Sequence, residues 1–322
     1  MNYYAAPMEG LTDRIWRQVH QKWFGAADAP MRYYAPFLSP PENRVLIPKK
    51  MAELAPEANA GTVVIPQLLA KDGELAAWMI GEVRKLGYTE VNLNFGCPSG
   101  TVTAKGKGAG MLSDVSALSW FLDEIYAHAP LKVSIKTRIG ITRPEEFARL
   151  LEVYARYPVH ELIIHPRTRS EMYRGTPHRE VIADALAQTK LPIVYNGDLF
   201  TAADCRALEA MYPGLRALML GRGLIANPAL AREYAGGAPL EKDELRAFTD
   251  DLLRAYLAEY PANVALGRMR EVMKHIVCCF EQPEKPRKAI RKAAKLAAYE
   301  AAVAALFDGH ALRENAGFLA EE

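Results

Sequence analysis

The sequence predicts an α/β fold, a (β/α)8 TIM-type barrel followed by an all-helical C-terminal domain. Three observations carry this expectation. Eight short β-like runs recur over the first 220 residues, their starts roughly 25 to 40 residues apart, which leaves room for a strand, a loop and a helix each time. The later runs are near-continuously apolar, as strands covered on both faces are. Beyond Ala235-Gly236-Gly237-Ala238-Pro239 the strand pattern stops. Eight strand–helix repeats over about 220 residues is the arithmetic of a closed barrel. A doubly wound open sheet has the same local pattern and stands as the alternative, because closure is not written in a sequence.

The eight runs are Tyr3–Pro7, Arg32–Phe37, Val63–Leu68, Glu90–Phe95, Lys132–Lys136, Glu161–His165, Pro192–Asn196 and Ala217–Gly221. Between them, Glu74–Lys85 carries Leu75, Met79 and Val83 at helical spacing, and Val115–His128 carries Leu118, Leu122 and Ile125. After the Gly-rich joint, helices are expected over Lys242–Glu259, Ala265–Phe280 and a long stretch from Arg287 to Phe307. The division expected is a catalytic barrel over residues 1–238 and a helical domain over 239–322.

Composition is that of an ordinary globular chain, with 50% hydrophobic and 24% charged residues in 322. This excludes wholesale disorder and a disulfide-stapled miniprotein. No apolar run approaches the ~18–20 residues of a membrane span, and the opening residues show no basic stretch followed by an apolar segment, so no membrane and no secretory signal are expected. Cys97, Cys205, Cys278 and Cys279 give no zinc spacing, so no metal is expected, and a reducing cytoplasm fits them. Net charge is only +2, but from Arg268 to Lys295 nine basic residues face three acidic ones. Lys288, Arg291, Lys292 and Lys295 fall three or four apart, on one helix face, a field that attracts a polyanion. The plain alternative is a solvated helix face.

Barrel chemistry sits at the C-terminal ends of the strands. There the runs end in Pro7-Met8-Glu9-Gly10, Gln67, Asn92-Leu93-Asn94-Phe95-Gly96-Cys97-Pro98, Lys136-Thr137-Arg138, His165-Pro166-Arg167-Thr168, Asn196-Gly197-Asp198 and Gly221-Arg222-Gly223. The last two close strands seven and eight, the usual phosphate corner, where glycines admit anionic oxygens and Arg222 adds a charge-assisted donor. Lys136 follows Val133-Ser134-Ile135 and is expected inside the mouth, where an ammonium needs a negative partner. Gln67 offers an amide donor and acceptor suited to a heteroaromatic ring edge, or to a core hydrogen bond. Cys97 lies on a constrained loop between Gly96 and Pro98. It reads as a proton donor or, with a base beside it, a nucleophile. The Gly- and Lys-rich stretch Thr101–Gly110 is long enough to cover a ligand.

Taken in order, Ala6-Pro7-Met8, Asn92-Leu93-Asn94-Phe95-Gly96-Cys97-Pro98, Lys136, His165-Pro166-Arg167-Thr168, Asn196-Gly197-Asp198 and Gly221-Arg222-Gly223 resemble the tRNA-dihydrouridine synthase family over essentially the whole chain. The resemblance implies an FMN-binding barrel with a helical tRNA-binding domain. It implies reduction of the C5–C6 double bond of chosen uridines in tRNA, with NADPH as electron donor. It places Pro7, Met8 and Glu9 along the flavin and Gln67 and Lys136 at its ring, with His165 lining the site. Asn196, Gly197, Asp198, Gly221 and Arg222 are then expected at the phosphate end, Asn94 at the uracil, and Cys97 as donor of a proton to uracil C5 while hydride reaches C6. Arg167, Lys288, Arg291 and Lys292 are expected at the RNA, whose target base must leave its stack to reach a deep flavin.

One departure is the proline of His165-Pro166, where many relatives have glycine; it removes an N–H donor. Two rival readings remain at this level. An FMN barrel acting on a small free pyrimidine or enone explains the strand ends but not the basic helices. An idle RNA-binding barrel does not explain Gln67, Cys97, Lys136 and Arg222 together. No separate protein partner is evident. Neither the uridine position, tRNA against ribosomal RNA, nor NADPH against NADH is encoded in a local motif.

Overall fold

A computed structural model describes residues 2–25 and 31–319. Nine parallel strands form one sheet: β1 (Asn2–Ala5), β2 (Arg32–Tyr34), β3 (Val63–Ile65), β4 (Gln67–Leu68), β5 (Glu90–Phe95), β6 (Lys132–Arg138), β7 (Leu162–His165), β8 (Ile193–Asn196) and β9 (Ala217–Leu220). Their order is β3-β2-β1-β9-β8-β7-β6-β5-β4. The two outer strands of that list are consecutive in the chain, so the sheet is nearly closed and the barrel expectation holds over the open sheet.

The closure lies within the third predicted run, which Pro66 splits in two. Its first half pairs with β2, through Val63, Val64 and Ile65. Its second half pairs with β5, Gln67 level with Asn92. Proline has no N–H to give a ladder, but its carbonyl still accepts from Asn92 N at 2.8 Å. One short run thus holds both edges of the cylinder.

Alternation along β5 sends Val91, Leu93 and Phe95 to one face and Glu90, Asn92 and Asn94 to the other. On the outer face, Phe95 packs edge-on against Phe121 at 5.8 Å and stacks with Tyr154 at 6.4 Å, within the helices Val115–His128 and Phe147–Tyr154. The N-terminal end of the barrel is filled by a polar cluster. Tyr4 donates to Glu161 at 2.8 Å and Arg32 to Glu161 at 3.3 Å, while Arg32 is also ion-paired with Glu90.

Two compact units divide the chain. One holds residues 1–7, 32–197 and 211–219, and the other 8–31, 198–210 and 220–322. The second unit contains all of residues 239–322 and three further segments. Its helices include Arg14–Phe24, Lys242–Glu259, Ala262–Ile276, Glu284–Lys292 and Leu296–Gly309. Asp13 caps the first, accepting from Trp16 N and from the Tyr256 hydroxyl, each at 3.0 Å.

One sequence expectation needs correction. The long helix expected over Arg287–Phe307 is two helices, broken at residues 293–295. Arg270 donates to the Ala293 carbonyl at 3.1 Å, replacing the helical donor that the break removes. Lys295 therefore caps the second helix and does not continue the face of Lys288, Arg291 and Lys292. The stretch Thr101–Gly110, which the sequence marks as long enough to cover a ligand, is wound into turns over Gly100–Thr103 and Gly108–Ser113.

Candidate active site

In the barrel unit, register sets Gln67, Asn92 and Ser134 level with one another and Asn94 level with Lys136. The interior side chains form a directed hydrogen-bond chain. Asn94 Oδ1 accepts from Gly96 N at 3.0 Å and from Cys97 N at 2.9 Å. Two backbone donors on one oxygen fix which end of that amide is oxygen. Asn94 Nδ2 then donates to Gln67 Oε1 at 2.8 Å, and Gln67 Nε2 donates to Asn92 Oδ1 at 2.8 Å. Asn92 Nδ2 donates to Ser134 Oγ at 3.0 Å, and Ser134 donates to Glu90 Oε1 at 3.0 Å. Each group is oriented by the one above it, from the cysteine loop down to a buried carboxylate.

Gln67 is therefore both a core hydrogen-bonding glutamine, 1% exposed, and a candidate at the mouth, since an amide nitrogen has two hydrogens and Asn92 takes one. Asn94 likewise spends one hydrogen on Gln67 while its oxygen holds the backbone of Cys97. Cys97 itself is half-buried. Its carbonyl accepts from Ala109 N at 3.0 Å. Gly108 sits at φ +57, and a Cβ there would lie 2.8 Å from the Cys97 carbonyl, so only glycine lets the following turn pack on the cysteine.

Lys136 is half-buried beside these groups. Burial, and next the Arg138 guanidinium, pull its pKa down to about 7, with Cys97 acting in the opposite sense. Arg138 is 1% exposed and fastens two loops: Nε donates to Gly96 O at 3.0 Å, and Nη1 to Thr168 O at 2.8 Å. Its guanidinium carbon lies 5.2 Å from the Tyr173 ring centroid. His165 is buried, and its Nε2 lies 3.3 Å from Arg167 Nη1. Arginine only donates, so Nε2 accepts and the imidazole proton sits on Nδ1.

Arg167, expected at the RNA, is instead 1% exposed, and donates to the carbonyls of Arg174 at 3.1 Å and Gly175 at 2.5 Å. It braces the loop after β7, and so little of its side chain reaches the surface that no direct RNA contact is assigned to it. Asn196 is buried and donates to Met219 O at 2.8 Å, tying β8 to β9 beside Gly197. Pro7 follows β1 and is half-buried. A separate cavity of about 550 Å³, lined among others by Leu112, Ile141, Arg143 and Arg149, contains none of the expected site residues.

The second unit holds Met8, Glu9, Asp198, Gly221 and Arg222. Met8 forms a tight turn, its N–H donating to Thr12 Oγ1 at 2.9 Å and its carbonyl accepting from Leu11 and Thr12 at 3.0 Å. Glu9 is exposed at the tip of that turn. Arg222, beside Gly221, donates to Asp198 Oδ1 at 2.8 Å, and its side chain keeps 19% of its surface open. In the helix Glu284–Lys292, Pro286 and Ile290 are buried, while Lys285, Lys288, Arg291 and Lys292 are exposed.

Residues 4–315 match the family model described as dihydrouridine synthase. The chain belongs to the dihydrouridine synthase family. It is 29% identical over 285 residues to a tRNA-dihydrouridine(16) synthase of Pseudomonas putida KT2440, spanning 84% of this chain and 86% of that protein. The protein of the same name from Cupriavidus necator is 28% identical over 308 residues, spanning 90% and 92%. That from Aquipseudomonas alcaligenes is 31% identical over 252 residues, spanning 76% and 78%. Among solved structures, the old yellow enzyme homologue from Zymomonas mobilis has a TM-score of 0.55 at 14% identity, covering 77% of this chain and 91% of that one. The old yellow enzyme from Trypanosoma cruzi has a TM-score of 0.51 at 11% identity, covering 81% and 94%. These two share the barrel fold.

For this dihydrouridine synthase family chain, sequence reasoning missed Arg138, Asn92 and Ser134 as parts of the site. A signal existed for the first: Arg138 is two residues past Lys136 on one strand, hence on the same face. Asn92 and Ser134 gave none, because their partners are set by register between separate strands. No helix among the described residues is long and apolar enough to cross a membrane.

Proposed function

We propose that the chain is an FMN-dependent tRNA-dihydrouridine synthase that reduces the C5–C6 bond of uridine 16 with electrons from NADPH. The observation that carries this reading is the setting of Cys97, whose backbone N–H is held by Asn94 Oδ1, just beyond the strand row in which Asn94 stands level with Lys136. The position follows from the relatives, which are named for position 16. A tRNA substrate fits a cytoplasmic protein and the basic face of the helix Glu284–Lys292.

The donor set fits the cofactor. Burial and Arg138 both disfavour the charged form of Lys136, so an electron-rich ring beside it relieves that cost. Lys136, Gln67 and His165 are then the residues that meet the ring, with Pro7, Met8 and Glu9 along it. Asn196, Gly197, Asp198, Gly221 and Arg222 hold the phosphate end. When bound, FMN supplies the hydride that reaches uracil C6.

The protein's own part is orientation and a proton. The remaining Nδ2 hydrogen of Asn94 meets a uracil carbonyl, while its oxygen keeps Cys97 in place. Cys97 releases its thiol proton to C5. Arg138, through Gly96 O, resists any drift of the cysteine loop.

Purified protein should carry the yellow absorbance of oxidised flavin and convert uridine 16 of unmodified tRNA to dihydrouridine with NADPH. Cys97→Ala should retain the flavin and lose at least about 100-fold in turnover. A colourless chain that takes up no FMN overturns the reading, and wild-type turnover by Cys97→Ala overturns the proton donor.

A further inference from the structure

We propose that the segment of residues 311–318 positions the Arg222 guanidinium, through Phe318, for a phosphate; this rests on the assignment of Arg222 to the FMN phosphate. The stretch 311–318 is fastened at successive residues. Glu281 N donates to Ala311 O at 2.9 Å, and Arg313 N to Cys279 O at 2.8 Å. The Arg313 side chain donates to Cys278 O at 2.8 Å and to Gly317 O at 2.7 Å, and Asn227 Nδ2 donates to Ala316 O at 3.0 Å. Gly317 lies so close to Phe200 that a Cβ would fall 2.3 Å from the Phe200 carbonyl.

This fastening delivers one side chain. The Phe318 ring lies 4.9 Å from the Arg222 guanidinium carbon, and Phe200 lies 5.3 Å from it, with the two rings 5.2 Å apart. His275 also packs against Phe318, at 5.4 Å between ring centroids. Asp198 holds one edge of the guanidinium at 2.8 Å. An arginine flanked by two ring faces and a carboxylate loses the rotamer freedom that would otherwise be lost on binding an anion. Cation–π contact adds attraction that an aliphatic side chain of similar size lacks. Phe318 is thus a positioning residue acting through Arg222.

Flavin-free full-length protein titrated with FMN and with riboflavin tests this, since the two differ only in the phosphate. Wild type should prefer FMN. Phe318→Ala and Phe318→Leu should weaken FMN about tenfold, or about 1.4 kcal/mol, while riboflavin affinity stays within about twofold, a result that also shows the variants fold. Phe318→Tyr, which keeps the ring, should retain the FMN affinity. The proposal is overturned if Phe318→Leu binds FMN as wild type does, or if both ligands weaken together. If wild type itself shows no preference for FMN, the phosphate role of Arg222 fails, and the positioning role with it.

Discussion

Asn94 meets two backbone N–H groups with one oxygen, and the consequence of removing it can be stated. Asn94→Ala leaves the half-buried donors of Gly96 and Cys97 without their acceptor, which costs about 1 kcal/mol. Urea unfolding should show that loss, and Cys97 should be alkylated faster as its loop loosens; an unchanged alkylation rate would remove Asn94 from the positioning role. Lys136 makes a second prediction. Its pKa falls from 10.5 to about 7 on folding, so between those values the unfolded chain binds a proton that the folded chain does not. Stability of the flavin-free protein therefore rises with pH across that window, by up to about 1.4 kcal/mol per unit. Lys136→Met should flatten the slope, and equal unfolding free energies from urea titrations at pH 7.5 and 9 would contradict the burial of the ammonium. At this scale the sequence shows Cys97 and Lys136 by their places at strand ends. It does not show that Gln67 and Asn94 bind one another, because 27 residues separate them and only strand register joins them.

At the scale of elements, helices with capped, amphipathic patterns are legible. Val115–His128 forms as the sequence indicates, with Asp114 accepting from Ser116 N and Ala117 N. The break at residues 293–295 is not legible, since Ala and Lys there favour helix and the break is satisfied by a carbonyl contact from Arg270, which belongs to another helix. The basic face that remains is shorter but exposed. Changing Lys288, Arg291 and Lys292 together to Glu should leave flavin binding intact and weaken tRNA binding at least about 100-fold at moderate salt. It should also lower the slope of log affinity against log salt by about 2–3. Unchanged tRNA affinity in filter-binding assays would move the interface elsewhere.

At the scale of the whole molecule, barrel periodicity is visible from end to end, whereas closure at Pro66 and the charged plug at the N-terminal end are not. That plug joins Tyr4, Arg32, Glu90 and Glu161, residues from four separate stretches of sequence. Burial first, and then Glu161, push the Tyr4 pKa up to about 12. Arg32→Met takes the nearest cation from two buried carboxylates, leaving only Arg216 at 3.8 Å from Glu161 and His160 at 3.6 Å from Glu90, and should cost about 3–5 kcal/mol in thermal or urea unfolding. A loss below about 1 kcal/mol would show that solvent reaches the plug.

The amide row above that plug transmits in one direction only. If Asn94 or Gln67 became the matching acid, two acceptors would face each other, and only a captured proton would restore the contact.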